Sequence, residues 1–484
     1  MKLLAKRETL YLALITLAAG LFRFYKLDFH SLWSDELTIW ADTQIHPFSA
    51  MLKYLTQEEL SPPAYWILQY PFTLFLVQSE FGVRFLVALL GTLSVPALYF
   101  TSREIYSKGV SLLAAILLAV SFQGIYFSQE ARAYSLMIFL TIVSTGFWLR
   151  LMRNRETAKG SLAWLPLLGY IISASVLMYT HIYGLLLVGA QGLLYLTQIR
   201  NRHALKECAI AGVALTVLYL PWVPVILSQM KPISVWFGPP EWMDIFSYHK
   251  FLFDRSSAYA IVATLLIIIY FIKNRRHLRY ELLLLGLGVI PFAIAFWRSR
   301  VASPMLFDRY MLIALPSTIL LTARATLALS EYFEDTPANA RIRRWLSLTF
   351  ATLFVGICLH STIIRNSYYT EQQKDQNREA SLVSIEIRDK YKTKMFVVGK
   401  SEPIVSYYFH RQSADTSKNI YLRYDYKDAD LAKLISELPS DHFVYLSYSM
   451  HIAPSSRQWL EQHYKLVEEK LIPRSNHILV FKKN

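Results

Sequence analysis

"SPPAYWILQYPFTLFLVQ", residues 61–78, decides how the rest of the chain is laid out. It is apolar enough to suggest a membrane span. Yet it opens on Pro62 and Pro63, carries Pro71 inside, and runs short of the ~20 residues a helix needs to cross a hydrocarbon core. The loops elsewhere in the chain arbitrate. Apolar blocks of span length fall at about 9–27, 82–102, 109–126, 134–151, 162–180, 183–199, 208–228, 257–273, 280–297, 309–327 and 345–364. With 61–78 left out of the count, alternation places six loops on the starting side. They hold Lys2, Lys6 and Arg7; Arg103 and Lys108; Arg150, Arg153, Arg155 and Lys159; Arg200, Arg202 and Lys206; Lys273, Arg275, Arg276 and Arg279; Arg341, Arg343 and Arg344. Every one is basic, as cytoplasmic loops are. If 61–78 crossed, every later basic loop would face outward. The stretch therefore reads as a helix on the outer interface, with Tyr65, Trp66, Tyr70 and Phe72 at headgroup depth. A kinked true span is the alternative.

This layout predicts a multi-span α-helical membrane protein of about 11 transmembrane helices, with a cytoplasmic N-terminus and the chain end outside the cytoplasm. The wider composition agrees. The 484 residues are 54% hydrophobic and carry a formal charge of +15. Much of the basic excess lies in the short loops, and no arginine-rich tract is interleaved with stacking aromatics, so nucleic acid is not an expected partner. The first apolar run starts like a secretory signal but continues to Leu27, too long for one, and reads as an uncleaved span. Cys208 and Cys358 form no metal spacing. After Arg365 the composition changes. Short β-type runs, "MFVVG", "NIYLRY", "HFVYLSYS" and "HILVF", alternate with the helical "EPIVSYYF", "DADLAKLISEL" and "SSRQWLEQHY". A soluble extracytoplasmic α/β domain with an open sheet is expected over 366–484, after a transmembrane domain over 1–365.

Four short polar motifs fall in outer loops. "SLWSDELTIW" (31–40) carries Asp35 and Glu36 among tryptophans. "FSQEARAY" (127–134) carries Gln129, Glu130 and Arg132. "THIYG" (180–184) carries His181 and Tyr183, and "LFDRYM" (306–311) carries Asp308, Arg309 and Tyr310. A carboxylate at a partly apolar interface suits a general base. A second acid can share a divalent cation, which prefers carboxylate oxygens. Arginine holds a phosphate bidentately. Base and phosphate clamp together at a membrane face mean displacement from a lipid phosphate.

The segments "SLWSDE", "SPPAYW", "FGVRFLVALLGTLSVPALY", "FSQEARAYSL", "YTHIYGLLL" and "DRYMLIALP", in this order over roughly 5–325, resemble the GT-C glycosyltransferases. The likeness is to bacterial relatives of the protein O-mannosyltransferases and of the lipid A aminoarabinose transferase. Ser61 and Glu130 stand where many relatives have histidine and some have aspartate. The resemblance implies a polyprenyl-phosphate-linked sugar donor and transfer to an extracytoplasmic acceptor in the cell envelope. Asp35 would be the catalytic base, with Glu36 secondary, and Glu130 would position the acceptor or bind a divalent cation (Mg, Mn or Zn) together with Asp35. Arg132, His181, Tyr183, Arg309 and Tyr310 are the candidate substrate-binding residues. Other readings stay open at this point. Asp35 and Glu36 also suit a helix N-terminal pair, and His181 a satisfied interfacial histidine. Arg84 reads as an interfacial anchor. A transporter or lipid flippase would instead place its ionisable groups inside the spans.

Overall fold

The computed structural model describes the chain except Met1, Leu60, 77–78, 158–161, Arg200, 230–237, 330–336, 413–414, 449–451, Ala453 and Ser475. Of the basic loop residues, Lys159 and Arg200 lie outside the described set, as do the side chains of Lys2, Lys6, Arg155, Arg343 and Arg344. The chain divides into two compact units. One comprises 1–25, 47–72 and 84–367; the other comprises 26–46, 73–83 and 368–484.

The first unit is helical. Among the described residues, six helices are long and apolar enough to cross a membrane: Glu80–Arg103, Tyr134–Arg153, Arg202–Ser228, Arg279–Val301, Asp308–Ala328 and Trp345–Arg365. Two bent pairs raise this to eight if each is one span. Three expected crossings remain: the first falls on Lys2–Phe24, a helix of 23 residues, and the other two differ by length. Trp164–Met178 and Ile182–Leu196 have 15 residues each, or ~22 Å of helix against a core of ~30 Å. The bent pairs have local causes. Lys108–Val120 gives way to Phe122–Gln129 at 58°, where Ser121 caps the second helix by accepting from the Gly124 N–H. Asp244–Leu252 and Ser257–Lys273 meet at 85° across Asp254 and Arg255, both with positive φ. That conformation costs a side-chain-bearing residue energy. Asp254 is fixed in it: its Oδ1 accepts from Ser121 Oγ at 2.8 Å and from the Gln123 N–H at 3.2 Å.

The stretch 61–78 forms a helix over Ala64–Phe75, 12 residues with Pro71 inside. Its 12 residues span ~18 Å, too short to cross. Its facing corrects the expectation. Tyr65 and Trp66 are buried within the protein, and Ile67, Leu68, Leu74 and Phe75 are the exposed side chains. The two aromatics pack inward because the helix start is pinned by the Ala64 N–H donating to the Tyr179 carbonyl at 2.9 Å. Arg84 is likewise buried rather than anchored at an interface.

Helix ends in this unit cap one another. Arg23 donates to the carbonyls of Leu118 (2.9 Å) and Ala119 (3.0 Å), at the end of Lys108–Val120. Gln129 Nε2 returns the favour, donating to the carbonyls of Arg23 and Tyr25, both at 2.9 Å. Helix C-termini otherwise leave carbonyls unpaired, which is costly away from water. Gly91 lies where this junction closes, and a Cβ there would overlap Ser128.

The second unit is built on a five-stranded sheet: β1 Met395–Gly399, β2 Asn419–Arg423, β3 His442–Ser447, β4 Tyr464–Ile472 and β5 Asn476–Lys483. The order is β2-β1-β3-β5-β4. β1 pairs in parallel with β2 and β3, while β5 pairs antiparallel with β3 and β4. β1 and β3 are buried almost throughout, as central parallel strands are. Phe396, Phe443, Leu479 and Phe481 form the core with Leu431, Ile435 and Leu460 from the covering helices. The sheet is the open α/β arrangement expected, with one strand more, β4, which none of the short apolar runs marks.

Candidate active site

Three of the four polar motifs converge in the helical unit. His181 caps the helix Ile182–Leu196, its Nδ1 accepting from the Tyr183 N–H at 3.2 Å. Its ring lies 4.8 Å from that of Tyr310 and 6.2 Å from that of Tyr134. Tyr183 and Tyr310 are 5.4 Å apart. Thus 134, 181, 183 and 310 form one aromatic cluster. Arg309 lies over it, its guanidinium 5.7 Å from the Tyr134 ring and 5.1 Å from that of Phe307. Such cation–π contacts are worth ~0.5–2 kcal/mol and orient a guanidinium without consuming its donors. Asp308 completes the turn: Oδ1 accepts from the Arg309 N–H at 2.7 Å, and Oδ2 pairs with Arg255 at 3.1 Å.

Burial holds the His181 imidazole well below its usual pKa, and the charges of Arg132 and Arg309 push it the same way. The ring is therefore neutral at physiological pH, and two guanidinium groups from separate loops act on one spot. Glu130 is buried, and its carbonyl accepts from the Arg132 N–H at 2.7 Å in a tight turn. Tyr183 uses its hydroxyl within the protein, donating to the Met305 carbonyl at 3.0 Å. An aromatic-lined place with two guanidinium groups and a neutral imidazole can bind a phosphate monoester or diester.

The fourth motif belongs to the second unit. The helix Ser34–Thr43 begins with Ser34, Asp35 and Glu36, acids that suit the positive end of its dipole. Asp35 is half-buried. It lies within electrostatic reach of Asp375, whose carboxyl is pushed up to about 6, mainly by burial and also by the Asp35 charge, against the pull of Arg474. Glu36 is not presented to a substrate. It is fully buried, ion-paired with Lys374 at 3.3 Å, and its Oε2 accepts from the Trp33 N–H at 3.4 Å. On the other side the helix packs on Glu402–Arg411, with Trp40 edge-on to Tyr407 at 4.6 Å. Lys400, just past the carboxyl end of β1, donates to Thr38 Oγ1 at 3.3 Å.

Two functional features were not read from sequence. Gln129, expected in the polar core of its motif, caps a helix instead. Lys374, in a polar tract with no distinguishing pattern, is the partner of Glu36. The cation expected between Asp35 and Glu130 finds no fitting ligand set. Among the described residues no three His, Cys, Asp or Glu side chains group as a metal site, and Asp35 and Glu130 belong to different units. Glu130 also shares the surroundings of Tyr134 with Arg132 and Arg309, whose charges oppose a divalent ion.

With this geometry established, residues 60–227 match the family described as dolichyl-phosphate-mannose-protein mannosyltransferase. The whole chain is similar in fold to ArnT from Cupriavidus metallidurans in the apo state, at a TM-score of 0.65 and 13% identity over 98% of both chains. ArnT bound to undecaprenyl phosphate matches at 0.55 and 11% identity, over 98% of this chain and 97% of that one. AglB, the Archaeoglobus fulgidus oligosaccharyltransferase in complex with an inhibitory peptide and a dolichol-phosphate, matches at 0.53 and 12% identity, over 90% and 69%. No curated protein sequence matches the chain. The chain has the fold of the GT-C membrane glycosyltransferases.

Proposed function

We propose that the protein is an inverting glycosyltransferase that moves one sugar from a polyprenyl monophosphate carrier to a hydroxyl of an extracytoplasmic lipid, glycan or protein acceptor. The acceptor oxygen attacks the anomeric carbon, the bond from that carbon to the phosphate oxygen breaks, and the lipid-linked phosphate leaves with the electron pair. Asp35 takes the acceptor proton. Arg132 and Arg309 hold the phosphate and balance the charge it gains on departure. Glu130 orients the acceptor, while His181 and Tyr310 shape the pocket wall. The observation that carries this reading is the convergence of Arg132 and Arg309 on a buried aromatic cluster with a neutral histidine. It is supported by likeness to folds whose solved structures hold undecaprenyl phosphate and a dolichol-phosphate.

The deciding experiment is cell-free: purified protein, a short-chain polyprenyl-phosphate sugar with a radiolabel, and envelope extract as acceptor. Transfer of label with release of polyprenyl monophosphate is the expected result. Movement of labelled carrier across vesicles without transfer would establish the flippase reading instead.

The proposed topology places 1–365 as a multi-pass catalytic domain in the cell membrane with its N-terminus in the cytoplasm, and 366–484 outside. Reporters fused after Asp42 and after Ser79 are then both expected to read extracytoplasmic. A cytoplasmic signal after Ser79 alone would make 61–78 a crossing and reverse every later loop.

A further inference from the structure

The run Asp28–Leu32, just before the helix that carries Asp35, is fastened by chain 343 to 376 positions later, chiefly by residues 372–378. Gln372 Nε2 donates to the Phe29 carbonyl at 2.8 Å, and the Gln373 N–H to His30 Nδ1 at 3.2 Å. Arg378 donates to the carbonyls of Asp28 (3.1 Å) and Phe29 (2.8 Å). Asn377 Nδ2 donates to the Leu32 carbonyl at 2.9 Å and is itself held by Asn476 at 3.1 Å. The Leu32 N–H donates to the Tyr408 hydroxyl at 2.7 Å. Into the helix turn itself reaches one charge, Lys374, whose Nζ is 3.3 Å from Glu36 with both side chains at 1% exposure or less.

A buried ion pair is weak evidence for stability, because desolvating two charges offsets most of their attraction. Its geometry, by contrast, is demanding. Consecutive residues on a helix point about 100° apart, so pinning Glu36 sets the rotation of the first turn and with it the direction of the Asp35 carboxylate. We propose that Lys374 is a positioning residue for Asp35, and that the segment 372–378 makes the C-terminal α/β unit part of the catalytic loop's construction. This rests on the reading of Asp35 as the base. The segment bonds to backbone carbonyls between Asp28 and Leu32, to the side chains of His30 and Ser31, and to Glu36 of the helix, an arrangement that fixes the path of the chain rather than filling a core.

The experiment measures kcat, KM for carrier and acceptor, and thermal midpoint for three variants of the full-length protein. Lys374→Met removes the lysine from a buried Glu36 charge, and is expected to be less stable as well as slow. The variant that separates the two effects is Glu36→Gln with Lys374→Met. It removes both charges and keeps the volumes, so its midpoint should return to that of the parent. Positioning predicts that its kcat nonetheless stays ~10–100-fold down, the scale of a misplacement of about 1 Å, with KM for the carrier within threefold. Lys374→Arg keeps the charge and moves the donor; it should lose about three- to tenfold in kcat at unchanged KM. Parental kcat in the double variant overturns the proposal, and so does parental kcat in Lys374→Arg if the double variant does not fold. Asp35→Asn is run alongside. If it is inactive while the double variant is fully active, only the positioning role falls. If it is fully active, the reading of Asp35 as base falls and takes this inference with it.

Discussion

Asp35→Asn is expected to bind the carrier lipid within a few-fold of the parent and to transfer sugar ~10²–10⁴-fold more slowly, the usual effect of removing a general base. The amide keeps the shape of the carboxylate and its place in the first turn of Ser34–Thr43. What it loses is the capacity to accept a proton. The phosphate contacts are assigned to arginines, so affinity for the carrier should hardly change, and the separation of rate from binding is the signature to look for. The measurement is initial rate at saturating acceptor, paired with carrier binding in detergent and with expression matched by immunoblot. Near-parental transfer would remove Asp35 from the chemistry.

The second large effect falls on binding. Arg132→Gln combined with Arg309→Gln should weaken carrier affinity by ~10²–10⁴-fold, since hydrogen bonds to a charged group contribute about 1.5–3 kcal/mol each. Glutamine preserves a donor and much of the stem, so the loss reports charge and the planar fork rather than volume. The single variants should each lose less, and Arg309→Gln should also release the ring contacts to Tyr134 and Phe307. A control distinguishes phosphate from lipid tail: inorganic phosphate or a short prenyl phosphate should compete with carrier on the parent protein and not on the double variant. Equal carrier affinity in parent and double variant would move the phosphate site elsewhere.

Much of the helical part was legible because span-length apolar blocks and basic loops are a strong, redundant signal. Each expected span falls on helical chain, although 109–126 is broken at Ser121 with a 58° bend and Trp164–Met178 and Ile182–Leu196 are shorter than a crossing requires. The breaks were not legible. Ser121 and the positive-φ pair Asp254–Arg255 carry none of the glycine or proline that announces a bend, because their conformations are set by a hydrogen bond made 131 to 133 positions away. The facing of Tyr65 and Trp66 was misjudged for a related reason. Aromatic residues suit an interface and a core equally well, and only the backbone bond from Ala64 to Tyr179 decides between them. In the α/β unit, β1, β2, β3 and β5 stood out as short apolar runs. β4 did not, since Glu468, Glu469 and Lys470 interrupt its pattern. Charges on an edge strand guard against unwanted pairing, and the same charges conceal the strand from a hydropathy reading. As for the site, "THIYG", "FSQEARAY" and "LFDRYM" do meet in one unit, whereas the partner of Glu36 could be found only in three dimensions.

The fastening of residues 28–36 by residues 372–378 also sets a schedule. The ribosome makes the Asp35 segment early and its clamp about 340 residues later. At roughly 5–20 residues per second, that is an interval on the order of 20–70 s in which the spans between them are inserted while the acidic loop waits without its hydrogen-bond partners. A chain stalled or cleaved between residues 366 and 371 would carry every expected span and both arginines and still lack the groups that shape the loop. On the reading of Asp35 as the base, such a product would be inert, and competence for sugar transfer would wait until residues 372–378 are made.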